Sequence, residues 1–262
     1  MQFDLTEALT FARNLAHETA QYLVHGAGKG AADTKVDGSY VTQYDLASDR
    51  RITAAIRSRF PSHGVLSEEV NKKFAGEPWC WIIDPIDGTT NFTWGFPLWG
   101  VLIGLLHNGV PVVGVGDFPL TGEQFYGATG MGAWCNDRVI KASAATAISP
   151  QHFFGTCSRT MDRMRLPVVA KTRIAGSTGY DMAKLADGTF VGIYNTSVAV
   201  WDVAPLWPLV QEAGAHVATA THGEAFALTP GTDYGDSATS KFILYGGCTR
   251  EVYETVREKF VV

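Results

Sequence analysis

The tract Asp84-Pro85-Ile86-Asp87-Gly88-Thr89-Thr90-Asn91-Phe92 brings two carboxylates, a glycine and two hydroxyls within nine residues. Pro85 fixes its own φ and pushes Asp84 toward an extended backbone, so the chain turns with Asp84 and Asp87 able to converge. Like charges held that close cannot both stay ionised without a compensating cation, and hard oxygen ligands favour Mg²⁺ over a softer metal. The carbonyl of Ile86 could supply a neutral third oxygen. Gly88 removes a side chain where backbone must approach a ligand, and Thr89-Thr90-Asn91 would open a helix whose free amides suit an anion. A phosphate oxygen is the natural guest, and the implied chemistry is metal-assisted phosphate chemistry.

Three further acids could join this pair. Gly64-Val65-Leu66-Ser67-Glu68-Glu69 carries adjacent glutamates after an apolar pair, with Glu68 the better ligand candidate. Trp201-Asp202-Val203-Ala204-Pro205-Leu206-Trp207 puts one acid at the mouth of an apolar helix, and Val41-Thr42-Gln43-Tyr44-Asp45 ends in an acid that begins a helical run through Ile52 and Ile56. Each has a plainer reading: a solvated turn for Glu68, and helix capping for Asp202 and Asp45.

These acids need elements to hold them. Trp79-Cys80-Trp81-Ile82-Ile83 reads as a buried strand that delivers Asp84 at its carboxyl end, where α/β sheets place ligands. Phe3 to Leu23 has amphipathic-helix periodicity. Strands are expected within Phe96 to Leu106, Val110 to Gly116, Gln124 to Ala128, Thr189 to Tyr194 and Lys241 to Tyr245; helices are expected over Thr178 to Ala186, Ala204 to Ala213 and Glu251 to Lys259. The small, turn-rich segment Ala142 to Pro150 suggests two parts, 1–145 with most of the metal ligands and 146–262 with Asp202, and Phe153-Phe154-Gly155-Thr156 begins a fresh alternation of strands and helices.

Taken together, the box Asp84 to Phe92, the Glu-Glu lead Gly64 to Glu69, the Val-Thr-x-x-Asp segment Val41 to Asp45 and the stretch Trp201 to Gly214, ending Glu-Ala-Gly, resemble the inositol monophosphatase family of Mg²⁺-dependent phosphatases. The resemblance covers about residues 40 to 215, and the long first box is its most specific element. It implies an α/β fold of alternating layers of helices and mixed sheets, with the active site between two halves. It implies that Glu68, Asp84 and the Ile86 carbonyl hold one magnesium, that Asp84, Asp87 and Asp202 hold a second, and that a third, weaker ion leans on Glu68. Asp45 and Thr89 would orient and deprotonate the attacking water, with Glu68 also counted in the catalytic set. Gly88, Thr89, Thr90, Ser177, Asn195 and Asp202 would bind substrate. Lithium sensitivity and a homodimer follow from the same resemblance.

Substrate choice is less sharply drawn. The resemblance embraces enzymes for inositol phosphates, histidinol phosphate, fructose 1,6-bisphosphate and phosphoadenosine nucleotides, with inositol 1-phosphate or a similar small polyol or sugar phosphate the leading expectation. Seven residues before Asp202 the family commonly carries a Glu that contacts substrate hydroxyls, whereas this chain has Asn195. A neutral amide makes weaker hydrogen bonds than a carboxylate, although its oxygen can still accept a hydroxyl. In Gly176-Ser177-Thr178-Gly179-Tyr180, Tyr180 stands where small apolar residues are usual and could narrow the pocket, and the loop from Val70 to Pro78 is short. A role as a phosphate-responsive binding or regulatory protein is the alternative of a different class; retention of the whole ligand set and of the Asp45-Thr89 pair weighs against it.

Other chemistries find little support. No Gly-rich loop ending in Gly-Lys-Ser/Thr and no Gly-x-Ser-x-Gly elbow is present, and the seven histidines lack paired zinc-ligand spacing. A 262-residue chain that is 46% hydrophobic can bury a substantial core, and its net charge of -5 argues against nucleic-acid binding. Cys80, Cys135, Cys157 and Cys248 lie far apart, as reduced thiols in a cytoplasmic protein would. The longest apolar stretch, Phe96 to Leu106, is broken by Pro97, Gly100 and Gly104 and falls short of a membrane span. The expected partner is a small phosphate monoester.

Overall fold

The computed structural model describes residues 3–29, 32–34, 40–163, 167–235 and 241–260. Helix α1 (Leu5–Val24) starts where the Asp4 carboxylate accepts from the Thr6 N–H at 2.8 Å, and it buries Ala8, Leu9, Ala12, Leu15, Ala16, Ala20 and Leu23. That 3–4-residue spacing makes one apolar stripe, and the small alanines let the helix lie close to a sheet. After a short hairpin, β1 (Ala32–Thr34) and β2 (Tyr40–Thr42), helix α2 (Gln43–Arg59) packs beside α1.

The large sheet has the order β3-β4-β5-β6-β7-β8-β9. Its strands are β3 (Gly64–Ser67), β4 (Trp79–Asp87), β5 (Gly100–His107), β6 (Val110–Phe118), β7 (Glu123–Ala128), β8 (Ala133–Cys135) and β9 (Arg138–Val139). Only the β3–β4 pair is parallel. Strands β5 and β6 turn through Asn108 and Gly109, both at positive φ (50° and 82°), the two-residue arrangement that matches strand twist.

The second sheet has the order β11-β10-β12-β14-β13, built from β10 (Phe153–Thr156), β11 (Lys171–Ile174), β12 (Phe190–Val198), β13 (His216–Thr219) and β14 (Phe242–Gly247). Strand β10 runs parallel to both neighbours, while β14 is antiparallel to β12 and β13.

Helices alternate with these sheets. Helices α1 and α2 cover one face of the large sheet. Against its other face lie α5 (Thr178–Ala186), α6 (Val200–Val203), a 3₁₀ turn (Ala204–Leu206) and α7 (Trp207–Glu212), and α5 and α7 also touch the second sheet. The last helix, α8 (Arg250–Phe260), packs on β12 and β14, and the short α4 (Ser158–Met161) also lies against β12. The expected fold of alternating helical and mixed-sheet layers therefore holds. The close approach of the middle layer depends on Gly114, since a Cβ there would stand 1.6 Å from the Pro205 carbonyl oxygen.

The expected elements are present with altered bounds. The strand expected to stop at Ile83 runs on to Asp87, with a register shift between Asp84 and Asp87, so the acids lie within an irregular strand end rather than in a turn after it. The apolar stretch from Phe96 forms strand only from Gly100. The single helix expected over Ala204 to Ala213 is instead the broken series α6, 3₁₀ turn and α7, because Pro205 and Pro208 each remove a backbone donor.

Candidate active site

Three chain segments deliver acids to one place. Glu68 follows β3, its N–H donating to the Ile83 carbonyl at 3.3 Å, so the parallel β3–β4 pair fixes it beside the end of β4. Strand β4 contributes Asp84 and Asp87, which are 2% and 4% exposed. Asp202 lies in the first turn of α6 and accepts from the Ala199 N–H at 2.8 Å. It is both a helix-capping acid and a member of the site.

Asp87 is tightly placed. The Ser177 hydroxyl donates to its Oδ2, as does the Gly179 N–H at 2.9 Å, and the Thr178 N–H donates to Oδ1 at 3.2 Å. The start of α5 is thereby fastened to the end of β4. Asp84 Oδ1 accepts from the Ile86 N–H at 3.0 Å.

Burial pushes the Asp84 carboxyl well above the ordinary carboxylate range, and the neighbouring charges of Glu68, Asp87, Asp202 and Asp45 push it further the same way. Asp87 is raised by burial first and then by Asp202, against the opposing hydrogen bonds from Ser177, Gly179 and Thr178. These neighbours are all acids.

Asp45 lies behind the pocket wall, fully buried in the first turn of α2. The Thr42 N–H and hydroxyl donate to its Oδ2 at 2.7 and 2.6 Å, so the capping reading is correct. The Thr89 hydroxyl stands 3.4 Å from Asp45 Oδ1 and 3.0 Å from the Ile86 carbonyl, two acceptors for its one proton. Helix α3 (Thr89–Trp94) begins there, after Gly88 at φ 89°. A Cβ at Gly88 would come 3.0 Å from the Leu98 carbonyl oxygen, so only glycine suits both the backbone angle and the space.

A pocket of about 400 Å³ collects Glu68, Asp84, Ile86, Asp87, Gly88, Thr89, Thr90, Ser177 and Asp202. Asp45 touches it through Thr89 rather than directly. Asn195 is fully buried and does not line the pocket; its Nδ2 donates to Asp181 Oδ2 at 2.9 Å. Asp181, Arg159 and Lys241 do line it, and the sequence reading named none of them as a site residue. Asp181 had no local signal, since it is one acid in a helix; its partner Asn195 comes from β12. Tyr180 points away, its hydroxyl donating to Glu123 at 3.2 Å.

The acids fit a hard divalent cation. Among the described residues no three His, Cys, Asp or Glu side chains stand as a preset ligand cluster, so the fit rests on the shared pocket, the mutual repulsion at Asp84 and the all-oxygen donor set.

Comparison with known proteins gives a consistent answer. The chain matches the inositol monophosphatase family over residues 4–247. A fructose-1,6-bisphosphatase/inositol-1-monophosphatase of Aquifex aeolicus is 30% identical over 254 residues, covering 92% of this chain and 95% of the relative. A probable inositol 1-monophosphatase of Mycobacterium tuberculosis is 34% identical over 212 residues, covering 75% and 77%. Among solved structures, the inositol monophosphatase of Anabaena superposes with a TM-score of 0.77 at 27% identity, covering 98% of this chain and 96% of that one.

Proposed function

We propose, from the premise that the chain belongs to the inositol monophosphatase family and is a phosphoric monoester hydrolase, that its substrate is inositol 1-phosphate or a similar small polyol or sugar phosphate and that it works with two to three Mg²⁺ ions. The observation that carries this reading is the convergence of Glu68, Asp84, Asp87 and Asp202 on one pocket, with the charges of Glu68, Asp87, Asp202 and Asp45 all raising the Asp84 carboxyl.

Glu68, Asp84, Asp87, Asp202 and the Ile86 carbonyl would hold the ions. Mg²⁺ bound there would supply charge neutralisation to the phosphate and to the departing oxygen, in a reaction that is among the slowest known when uncatalysed. Thr89 directs the attacking water through its hydroxyl, and Asp45 takes up the proton by way of that hydroxyl. Thr42 keeps Asp45 in register by occupying its other oxygen. The Gly88, Thr89 and Thr90 backbone and hydroxyl groups donate to the phosphate, while Ser177 orients Asp87.

A second reading has a specific observation behind it. Arg159 and Lys241 lie on the pocket wall and would suit a substrate with a second phosphate, such as fructose 1,6-bisphosphate, the first activity in the name of the Aquifex relative. Histidinol phosphate, whose leaving group is itself cationic, is the third candidate. Phosphate release across these three substrates, with and without Mg²⁺, tests the ranking: preference for histidinol phosphate would overturn it.

Cytoplasmic location is proposed on the four free cysteines, and a homodimer and lithium sensitivity on family likeness. No described helix is long and apolar enough to cross a membrane.

A further inference from the structure

One buried acid on the pocket wall has no part in the proposed chemistry. Asp181, in the first turn of α5, is 1% exposed, and Asn195 on β12 is wholly buried behind it. Because a carboxylate can only accept, Asn195 must turn its NH₂ toward Asp181 and its own carbonyl oxygen elsewhere. Asp181 Oδ1 and Asn195 Oδ1 are then both buried with no hydrogen-bond partner among the described residues. Folded proteins seldom leave such groups unpaired, since each forfeits its hydration for nothing. Asp181 lines a pocket built for a ligand, and Asn195 packs behind it.

We infer that Asp181, positioned by Asn195, is a specificity-determining residue that accepts a hydrogen bond from a hydroxyl of the leaving group. This rests on the phosphatase reading above. The donor is a hydroxyl because the leaving group of the polyol phosphate proposed above carries hydroxyls, and Asp181 lines the pocket that would hold it. The neighbours of Asn195 on β12 support the placement: Thr196 and Val198 line the same pocket, so this wall is made jointly by α5 and the end of β12. Asn195, a neutral amide where the sequence suggested a lost charge, is the residue that holds the Asp181 carboxyl in place.

The test compares kcat/KM for inositol 1-phosphate, whose leaving group carries hydroxyls, with kcat/KM for 4-nitrophenyl phosphate, whose leaving group carries none. Wild type, Asp181→Asn, Asp181→Ala and Asn195→Ala are assayed with saturating Mg²⁺. The ratio of the two constants is expected to fall about tenfold or more in Asp181→Ala, chiefly through KM for the polyol ester, as loss of a charge-assisted hydrogen bond predicts. Asn195→Ala should move the ratio the same way by a smaller factor. The near-isosteric Asp181→Asn guards against a folding defect and should give an intermediate value. Equal losses on both esters, or a ratio within about twofold of wild type in both Asp181 variants, would overturn the assignment. A wild type that hydrolyses neither ester would overturn the phosphatase reading itself, and this assignment with it.

Discussion

Thr42 holds Asp45 through two donors to one carboxylate oxygen, its N–H at 2.7 Å and its hydroxyl at 2.6 Å, which leaves Oδ1 facing Thr89. The capping box of α2 and the proposed general-base pair are thus a single construction. Thr42→Ala removes one of the two donors and lets the carboxylate swing. We expect kcat to fall about tenfold with KM little changed, because orientation of the base is lost while substrate contacts stay. Thr42→Ser keeps both donors and should restore kcat; steady-state kinetics on the three proteins decide it, and an unaffected kcat in Thr42→Ala would uncouple the cap from the chemistry.

Neutralising the acid cluster should stabilise the fold. Thermal unfolding followed in chelator and then in Mg²⁺ is expected to show a higher Tm with the ion: at a concentration about 100 times Kd, binding contributes about 2.7 kcal/mol. For a chain of this size that corresponds to a rise of several degrees. Asp84→Asn removes one of the repelling charges, so it should unfold later than wild type in chelator and gain less from Mg²⁺. Identical shifts in the two proteins would exclude Asp84 from the ion site.

Asp181 offers a pH-dependent check independent of turnover. Its carboxyl ionises at higher pH in the folded chain than in the unfolded one, where 3.8 is usual, because burial raises it, the Asn195 hydrogen bond only partly offsets this, and Asp87 raises it further. Ionisation therefore opposes folding: the cost is absent in acid below the unfolded value and grows as pH rises from there to the raised folded value. Asp181→Asn removes the charge, and its amide could also donate to the unpartnered Asn195 Oδ1. We expect the variant to melt roughly 2–4 °C above wild type near pH 8, with the advantage shrinking toward pH 4. A constant difference across that range would mean that Asp181 is not the titrating group.

Gly114 should be intolerant of any side chain. A Cβ 1.6 Å from the Pro205 carbonyl oxygen forces the 3₁₀ turn off the large sheet, and that turn continues directly from the helix bearing Asp202. Gly114→Ala is expected to cost about 3 kcal/mol, a Tm loss of roughly 6–12 °C. Calorimetry would detect this, and a loss under about 2 °C would show that the middle layer yields easily.

Much of this site is legible in the sequence because its parts are local. Asp84 to Phe92 encodes strand end, positive-φ glycine and helix start in consecutive residues, and Thr42-x-x-Asp45 encodes its own cap. What escaped was decided at a distance. The strand end at Asp87 depends on pairing with Gly100 across a register shift, which no run of apolar residues announces. Strand β11, Lys171–Ile174, lies at a sheet edge with three of its four residues exposed, so it lacks the alternation that marks a half-buried strand. Asp181 and Asn195 meet across the α5–β12 packing, and neither residue signals the other. At Asn195 the sequence shows only an absence of charge, since the acid it bonds, Asp181, belongs to another element.

The central claim is Mg²⁺-dependent hydrolysis of a polyol phosphate by the acids at the end of β4. The most direct measurement is phosphate release from inositol 1-phosphate by wild type and Asp87→Asn, each with Mg²⁺ and with chelator. The account predicts turnover by wild type in Mg²⁺ alone and a loss of about a hundredfold or more in Asp87→Asn with the fold retained. Release that persists in chelator, or an Asp87→Asn protein as active as wild type, would contradict it.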